Sequence, residues 1–193
     1  MLTNKEKDLI EQIRRGNTRA FTDLVERYKD LVFTLSLRLL GNREEAEEVS
    51  QDAFIKIYKA LATFKGDSKM STWIYRIAYN TALDRIKKNK RRAHAHVDVE
   101  QVKKMALADM DDALDKMVQE EKRQLIDQCL AKLPAEDAGI ITLFYFEEKN
   151  LLEMEKILNV SANTIKVKLF RARKKLASIM ETSLEREILE SNG

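Results

Sequence analysis

The chain has 193 residues, 44% of them hydrophobic and 35% charged, with a formal net charge of +3. That length suits one domain or two small ones joined by a linker, and the apolar content excludes full disorder. A charge so close to neutral excludes bulk attraction to an acidic partner, so any such affinity must come from clustering.

One Pro and five Gly, against abundant Leu, Lys, Glu and Ala, favour an all-α fold. Apolar spacing predicts a short helix over 3–15, stopped at Gly16. Asn17 or Thr18 caps a longer one, with Phe21, Leu24, Val25, Tyr28, Leu31, Val32, Leu35 and Leu39 on one face. Gly41 and Asn42 end it. The pattern repeats over 43–63 through Ala46, Val49, Ala53, Phe54, Ile57 and Leu61. The polar loop FKGDSKMS follows. Ser71 is the expected cap of a fourth helix carrying Trp73, Ile74, Ile77, Ala78 and Ile86. That helix runs into RIKKNKRR, where Arg85 to Arg92 holds six basic residues.

Between Ala93 and Glu120 the charge reverses, with seven acidic against three basic residues, and the apolar stripe is lost. A linker over 93–118 between two independently moving helical domains is therefore expected. The second unit should hold helices near 119–132, 135–147, 151–158 and 162–182, with Pro134 opening the second of them. Residues 151–158, the turn Asn159-Val160 and the helix after Ser161 form a helix-turn-helix pattern. Asn159 suits the left-handed turn and Ser161 an N-cap. An acidic tail closes the chain. The expected organisation is thus 1–92, linker 93–118, second domain 119–183 and tail 184–193.

Cys129 falls on the spacing Leu125, Ile126, Cys129, Leu130, Leu133, which makes it a core residue. A single cysteine forms no internal disulfide, in keeping with a reducing cytosol. No apolar run reaches membrane-spanning length, and the charged MLTNKEKDLIEQIRRG does not read as a signal peptide. The expectation is a cytoplasmic protein with no stable membrane insertion.

No catalytic constellation emerges. His94 and His96 flank Ala95 in the linker without a Cys or a fixed carboxylate nearby, so they read as a solvated pair and no metal site is expected. There is no Gly-rich phosphate loop, and no cofactor is implied. The chain is not expected to be an enzyme.

Three other constellations remain. NVSANTIKVKLFRARKKL combines a basic surface with the stripe Ile165, Leu169, Ala172, Leu176. In a helix-turn-helix the second helix enters the major groove with its N-terminal half on base edges. Charge alone would favour a solvated surface helix; the turn, the cap and the preceding short helix instead favour DNA contact by Ser161, Asn163, Thr164, Lys166, Val167, Phe170 and Arg171, and phosphate contact by Arg173, Lys174 and Lys175. The cap at Ser161 is expected to leave a positive helix end for phosphate.

KGDSKMSTWIYRIAYNTALDRIKKNKRR mixes Trp73, Tyr75 and Tyr79 with Arg76, Asn80, Arg85, Lys87 and Lys88. Aromatic and basic residues together suit unpaired bases, by stacking and backbone neutralisation. Trp73 and Tyr79 fit core packing at least as well. NREEAEEVSQDAFIKIY presents Glu44, Glu45, Glu47, Glu48, Gln51 and Asp52 over an apolar stripe. A dense acidic face repels DNA, so any partner would be a basic protein surface. On pattern alone a solvated face is the simpler account.

In this order, the three pieces resemble a bacterial RNA polymerase sigma factor of the extracytoplasmic-function group of the sigma-70 family. LGNREEAEEVSQDAFIKIYKAL is similar to the core-binding part of the family's sigma-2 domain, and FKGDSKMSTWIYRIAYNTALDRIKK to its promoter-melting, −10 reading part. LPAEDAGIITLFYFEEKNLLEMEKILNVSANTIKVKLFRARKKL is similar to its sigma-4 domain. The resemblance covers about residues 10–90 and 119–180.

It implies contacts to the clamp helices of the polymerase largest subunit through Gln51, Asp52 and Phe54, beside Glu47 and Glu48. It implies capture of a flipped −10 base by Ala60, Phe64, Asn80 and the loop Lys65–Ser71, with Lys65, Ser68, Lys69 and Ser71. It implies −35 reading through Lys166, Phe170 and Arg171, and an anti-sigma factor as a further partner. The chain departs from the family at Glu153-Met154-Glu155, where Glu-Ile-Ala is usual. It departs also at Asn159, often Gly, and at Val167, often a small polar residue; Val167 could touch a thymine methyl. An ordinary helix-turn-helix regulator with an N-terminal sensor or dimerisation domain is the alternative. A helical adaptor without a nucleic acid partner is a different class.

Overall fold

A computed structural model describes residues 2–93 and 125–191, with backbone alone at 92, 93 and 184–191. All regular secondary structure among the described residues is helical. The expected linker lies outside them apart from Ala93, as do His94 and His96.

Helix α1 spans Asn4–Arg14, α2 Thr18–Leu40, α3 Arg43–Ala60 and α4 Met70–Ala93. Helix α5 is described over 125–131, and α6 spans Ala135–Ile141, α7 Leu151–Leu158 and α8 Ala162–Ser191.

Local side chains fix where most of these helices begin. The Thr3 side chain accepts from the Glu6 N–H while Glu6 reaches back to the Thr3 N–H, a reciprocal cap on α1. Asn17 accepts from Ala20 N–H at 3.2 Å and Asn42 from Glu45 N–H at 2.9 Å. Gly41 ends α2 in the left-handed conformation, φ 67°.

The structure moves four boundaries. Helix α4 begins at Met70, so Ser71 lies inside its first turn rather than at its cap. Helix α3 stops at Ala60 and continues as a 3-10 turn over Leu61–Thr63. There Arg14 donates to Leu61 O at 3.3 Å and Phe64 O at 2.7 Å, holding a chain end whose carbonyls have left the helix. Helix α8 runs on to Ser191, since TSLEREILES contains no Gly or Pro to stop it. The expected helix over 135–147 is α6 followed by a π turn at Thr142–Phe146.

Helices α2, α3 and α4 pack around Leu24, Leu35, Ile57, Ile74 and Tyr75, all fully buried. Burying each aliphatic side chain contributes about 1.5–3 kcal/mol before ordering costs. The second unit packs around Leu130, Ile141, Leu143, Met154, Ile165 and Ala172, and Cys129 is buried there as expected.

The two units are not separate. Their buried residues form one continuous cluster, with α6 against α2 and α4, and α7 against α4. Gly139 of α6 makes the approach possible. A Cβ there would overlap the Tyr79 ring and come within 3.3 Å of Leu39 Cδ2. The described residues form two all-helical units, as expected, and apolar faces of both are in contact.

Candidate polymerase and nucleic-acid interfaces

The acidic face of α3 is built by register. Ala46, Val49, Ala53 and Ile57 point into the core, leaving Glu44, Glu47, Glu48, Gln51 and Asp52 exposed. Part of the face is already engaged. The Arg85 guanidinium of α4 lies 2.8 Å from Glu48 and 3.6 Å from Asp52, with its side chain 19% exposed. Asn89 donates to Glu45 at 2.6 Å, and Arg43 pairs with Glu47 at 3.0 Å. Arg85 is thus not the free DNA cation that its place in the basic run suggested; the carboxylates opposite claim it.

Phe54 is half-buried and packs against the core, which limits what it can offer a partner. Ile55 and Tyr58, 53% and 45% exposed, extend the outward face by a further turn beyond Gln51 and Asp52. Sequence reasoning passed over them because an apolar residue on an amphipathic helix is first assigned to the core. Their phase, one and four positions past Phe54, was the available signal.

The loop after α3 is set by Gly66, φ +79°. Phe64 is buried and stacks on Trp73, centroids 4.5 Å apart. Lys65, Arg76, Asn80, Lys87 and Lys88 are exposed, and Ala60, Ser68 and Ser71 are half-buried. Tyr75 and Tyr79 are core residues. Burial pushes the Tyr75 phenol up, and the Glu147 carboxylate adds to this. Burial likewise raises Tyr79, helped by Glu136 and Asp137. Of these aromatic side chains, Phe64 and Trp73 border the open cleft beside the loop.

Those two rings line a cleft of about 670 Å³ whose opposite wall is Leu152, Glu155, Lys156 and Asn159 of the helix-turn-helix. Across it, Lys69 pairs with Glu153 at 2.7 Å, and Lys156 donates to Asp67 O at 2.6 Å. Burial would raise the Glu153 carboxyl. The Lys69 ammonium, the Asn150 N–H and the Lys149 charge outweigh this and hold it below the usual carboxylate range. Lys69 is thus occupied within the chain.

In the helix-turn-helix, Asn150 and Glu153 form a reciprocal cap on α7, and Asn159 takes the left-handed turn at φ 56°, ψ 41°. The Ser161 hydroxyl accepts from Thr164 N–H at 3.3 Å. Ile165, Leu169 and Ala172 are buried, while Asn163, Thr164, Lys166, Val167, Phe170, Arg171 and Arg173 are exposed. The sorting is by helical phase.

Two expectations need correction. Glu155, on the preceding helix, accepts from the Ala162 N–H. The positive end of α8 is already met by a carboxylate and is not free for phosphate. The cations also divide. Lys175 is held by Asp137 at 2.6 Å, and the Arg173 guanidinium lies 5.1 Å from the Tyr145 ring centre. Lys174, over the Phe170 ring at 5.5 Å, remains exposed beside Lys166 and Arg171.

No group of three or more metal-ligating side chains occurs among the described residues, and no helix there is long and apolar enough to cross a membrane.

Comparison with known proteins gives two family matches in chain order, Sigma-70 region 2 over residues 24–92 and Sigma-70, region 4 over residues 123–176. The extracytoplasmic-function RNA polymerase sigma factor SigW of Bacillus subtilis is 37% identical over 175 residues, 88% of this chain and 94% of that protein. The RNA polymerase sigma-H factor of Pseudomonas aeruginosa is 32% identical, over 95% of this chain and 98% of that one. Among solved structures, the sigma factor RpoE bound to the anti-sigma factor NepR from Bartonella quintana shares the fold. Its TM-score is 0.67 at 20% identity, covering 83% of this chain and 96% of that one. Both sigma-70 regions are present in order and the relatives align along almost their whole length, so the chain belongs to the extracytoplasmic-function group of sigma-70 family RNA polymerase sigma factors.

Proposed function

We propose that this sigma factor divides promoter recognition among three exposed surfaces. The α3 face around Glu47, Gln51, Asp52, Ile55 and Tyr58 docks on the clamp helices of the polymerase largest subunit. The Phe64–Trp73 stack, the loop Lys65–Ser71 and the Asn80 amide take up a base extruded from the −10 element. The outer face of α8, through Lys166, Val167, Phe170 and Arg171, reads the −35 duplex. Nucleotide addition belongs to the polymerase, so the chain works in the cytoplasm as a specificity subunit and not as an enzyme. An anti-sigma factor is a further partner.

The observation that carries this reading is the sorting of α8. Its apolar stripe is spent on the domain core, so the basic and aromatic residues between are left outward together. An ordinary helix-turn-helix regulator shares that feature. The Phe64–Trp73 stack that the first unit presents beside a polar loop favours a strand-opening protein instead.

The test is melting. Unstacking costs a few kcal/mol per step, so a group must hold the extruded base. With reconstituted polymerase, Asn80→Ala should reduce permanganate reactivity at the −10 element far more than it reduces initial duplex binding. Equal loss in both assays would assign Asn80 to folding.

A further inference from the structure

The turn between α7 and α8 begins on a residue under backbone strain. Asn159 sits at φ 56°, ψ 41°, in the left-handed region that favours glycine. Asn enters that region more readily than most side chains, but its own chemistry does not fix where the next helix starts.

One residue grips the chain on both sides of it. The Glu155 carbonyl accepts the Asn159 N–H at 2.8 Å, and the Glu155 carboxylate accepts the Ala162 N–H, the first of α8. Two bonds to a single residue thus close the segment from 155 to 162. Ser161 acts differently. Its hydroxyl accepts from Thr164 N–H and its carbonyl from Ile165 N–H, so its bonds start α8 without tying it to α7. The charged neighbours of Glu155 are committed elsewhere, Glu153 to Asn150 N–H and Lys69, and Lys156 to Asp67 O.

We infer that Glu155 is a positioning residue for −35 reading: its side-chain bond to the Ala162 N–H holds Asn159 left-handed and fixes the angle at which α8 leaves the turn. The inference rests on the proposed role of the outer face of α8. The apolar packing of α8 begins at Ile165, so the start of the helix is steered by the turn. Lys166 and Val167 lie barely a turn further on. A tilt there carries them off the base edges, where hydrogen bonds weaken steeply with angle. What Glu155 supplies is an acceptor at a fixed place. Its charge contributes nothing to the hold on DNA, since a carboxylate beside phosphate only repels it.

The test separates the bond from the charge. Glu155→Gln keeps an acceptor oxygen and loses the charge, whereas Glu155→Ala loses both. Ala is the best helix former, so α7 is not weakened from within, and circular dichroism should be retained. Each variant is assembled with core polymerase. Affinity is measured for a promoter fragment recovered by run-off transcription and for the same fragment with its −35 element scrambled. The ratio of the two affinities should fall at least about fivefold in Glu155→Ala, the loss of one good base contact. In Glu155→Gln it should stay within about twofold of wild type. Glycine carries no penalty in the left-handed turn, so Asn159→Gly in the Glu155→Ala background should restore most of the ratio. Hydrogen exchange at the Ala162 amide of the full chain should quicken in Glu155→Ala and not in Glu155→Gln. A wild-type ratio in Glu155→Ala overturns the positioning role. Equal loss in Glu155→Gln overturns the bond as its cause. No recovery with Asn159→Gly overturns the coupling to Asn159. Failure of the −35 assignment itself would show separately, as a wild-type protein that binds both fragments equally.

Discussion

Arg171 and Lys174 stand three positions apart on the same exposed side of α8, yet their chemistry differs. Arg171 can present two parallel donors to a guanine edge, a contact worth about 1–3 kcal/mol of discrimination. Lys174 is a point charge on a flexible stem and suits phosphate, which carries no base information. Arg171→Ala should therefore lower affinity for a cognate −35 duplex and flatten the preference at one or two base pairs. Lys174→Ala should weaken all duplexes alike and reduce the slope of log affinity against log salt by roughly one. A titration series in salt on cognate and scrambled duplexes checks both. Uniform weakening by both substitutions would make α8 an electrostatic anchor only. Lys174 is a better probe than Lys175, whose ammonium is already taken by Asp137.

At the scale of elements, α3 carries the clearest division of labour. One side is buried through Val49, Ala53 and Ile57, and the other shows carboxylates joined by Ile55 and Tyr58. Reversing a rim charge places like charges across the contact. Asp52→Lys should weaken association with core polymerase by about tenfold, a cost near 1.4 kcal/mol. The fold should survive, because the Asp52 side chain is 55% exposed and Arg85 keeps its shorter 2.8 Å contact with Glu48 when the 3.6 Å approach to Asp52 is lost. Unchanged core affinity with normal circular dichroism would remove α3 from the interface.

Several helix ends were legible because their causes are local. Asn17 and Ser161 cap helix starts and the left-handed Asn159 ends α7, all acting within a few residues, whereas the expected cap at Ser71 was misplaced. The stripe that orients α8 was legible for the same reason. What escaped the sequence was pairing at a distance. Arg85 looked like a DNA cation until Glu48, 37 residues away, was brought beside it. Glu155 was visible as a departure from the family, but its use as a second cap on α8 depends on how the turn folds back. Arg14 gave no hint that it would hold the carbonyl of Phe64.

For the whole molecule, composition across 93–118 divided the chain into two helical units, and the structure adds a contact between their apolar faces. The deciding residue, Gly139, is invisible to periodicity because a glycine inside a helix reads only as a weakness. The central claim is that this chain confers promoter choice on a polymerase that lacks it. The direct measurement is run-off transcription with purified core polymerase on genomic fragments, with and without the protein. Discrete transcripts from specific start sites should occur only when it is present. Identical transcript patterns with and without it would contradict the account.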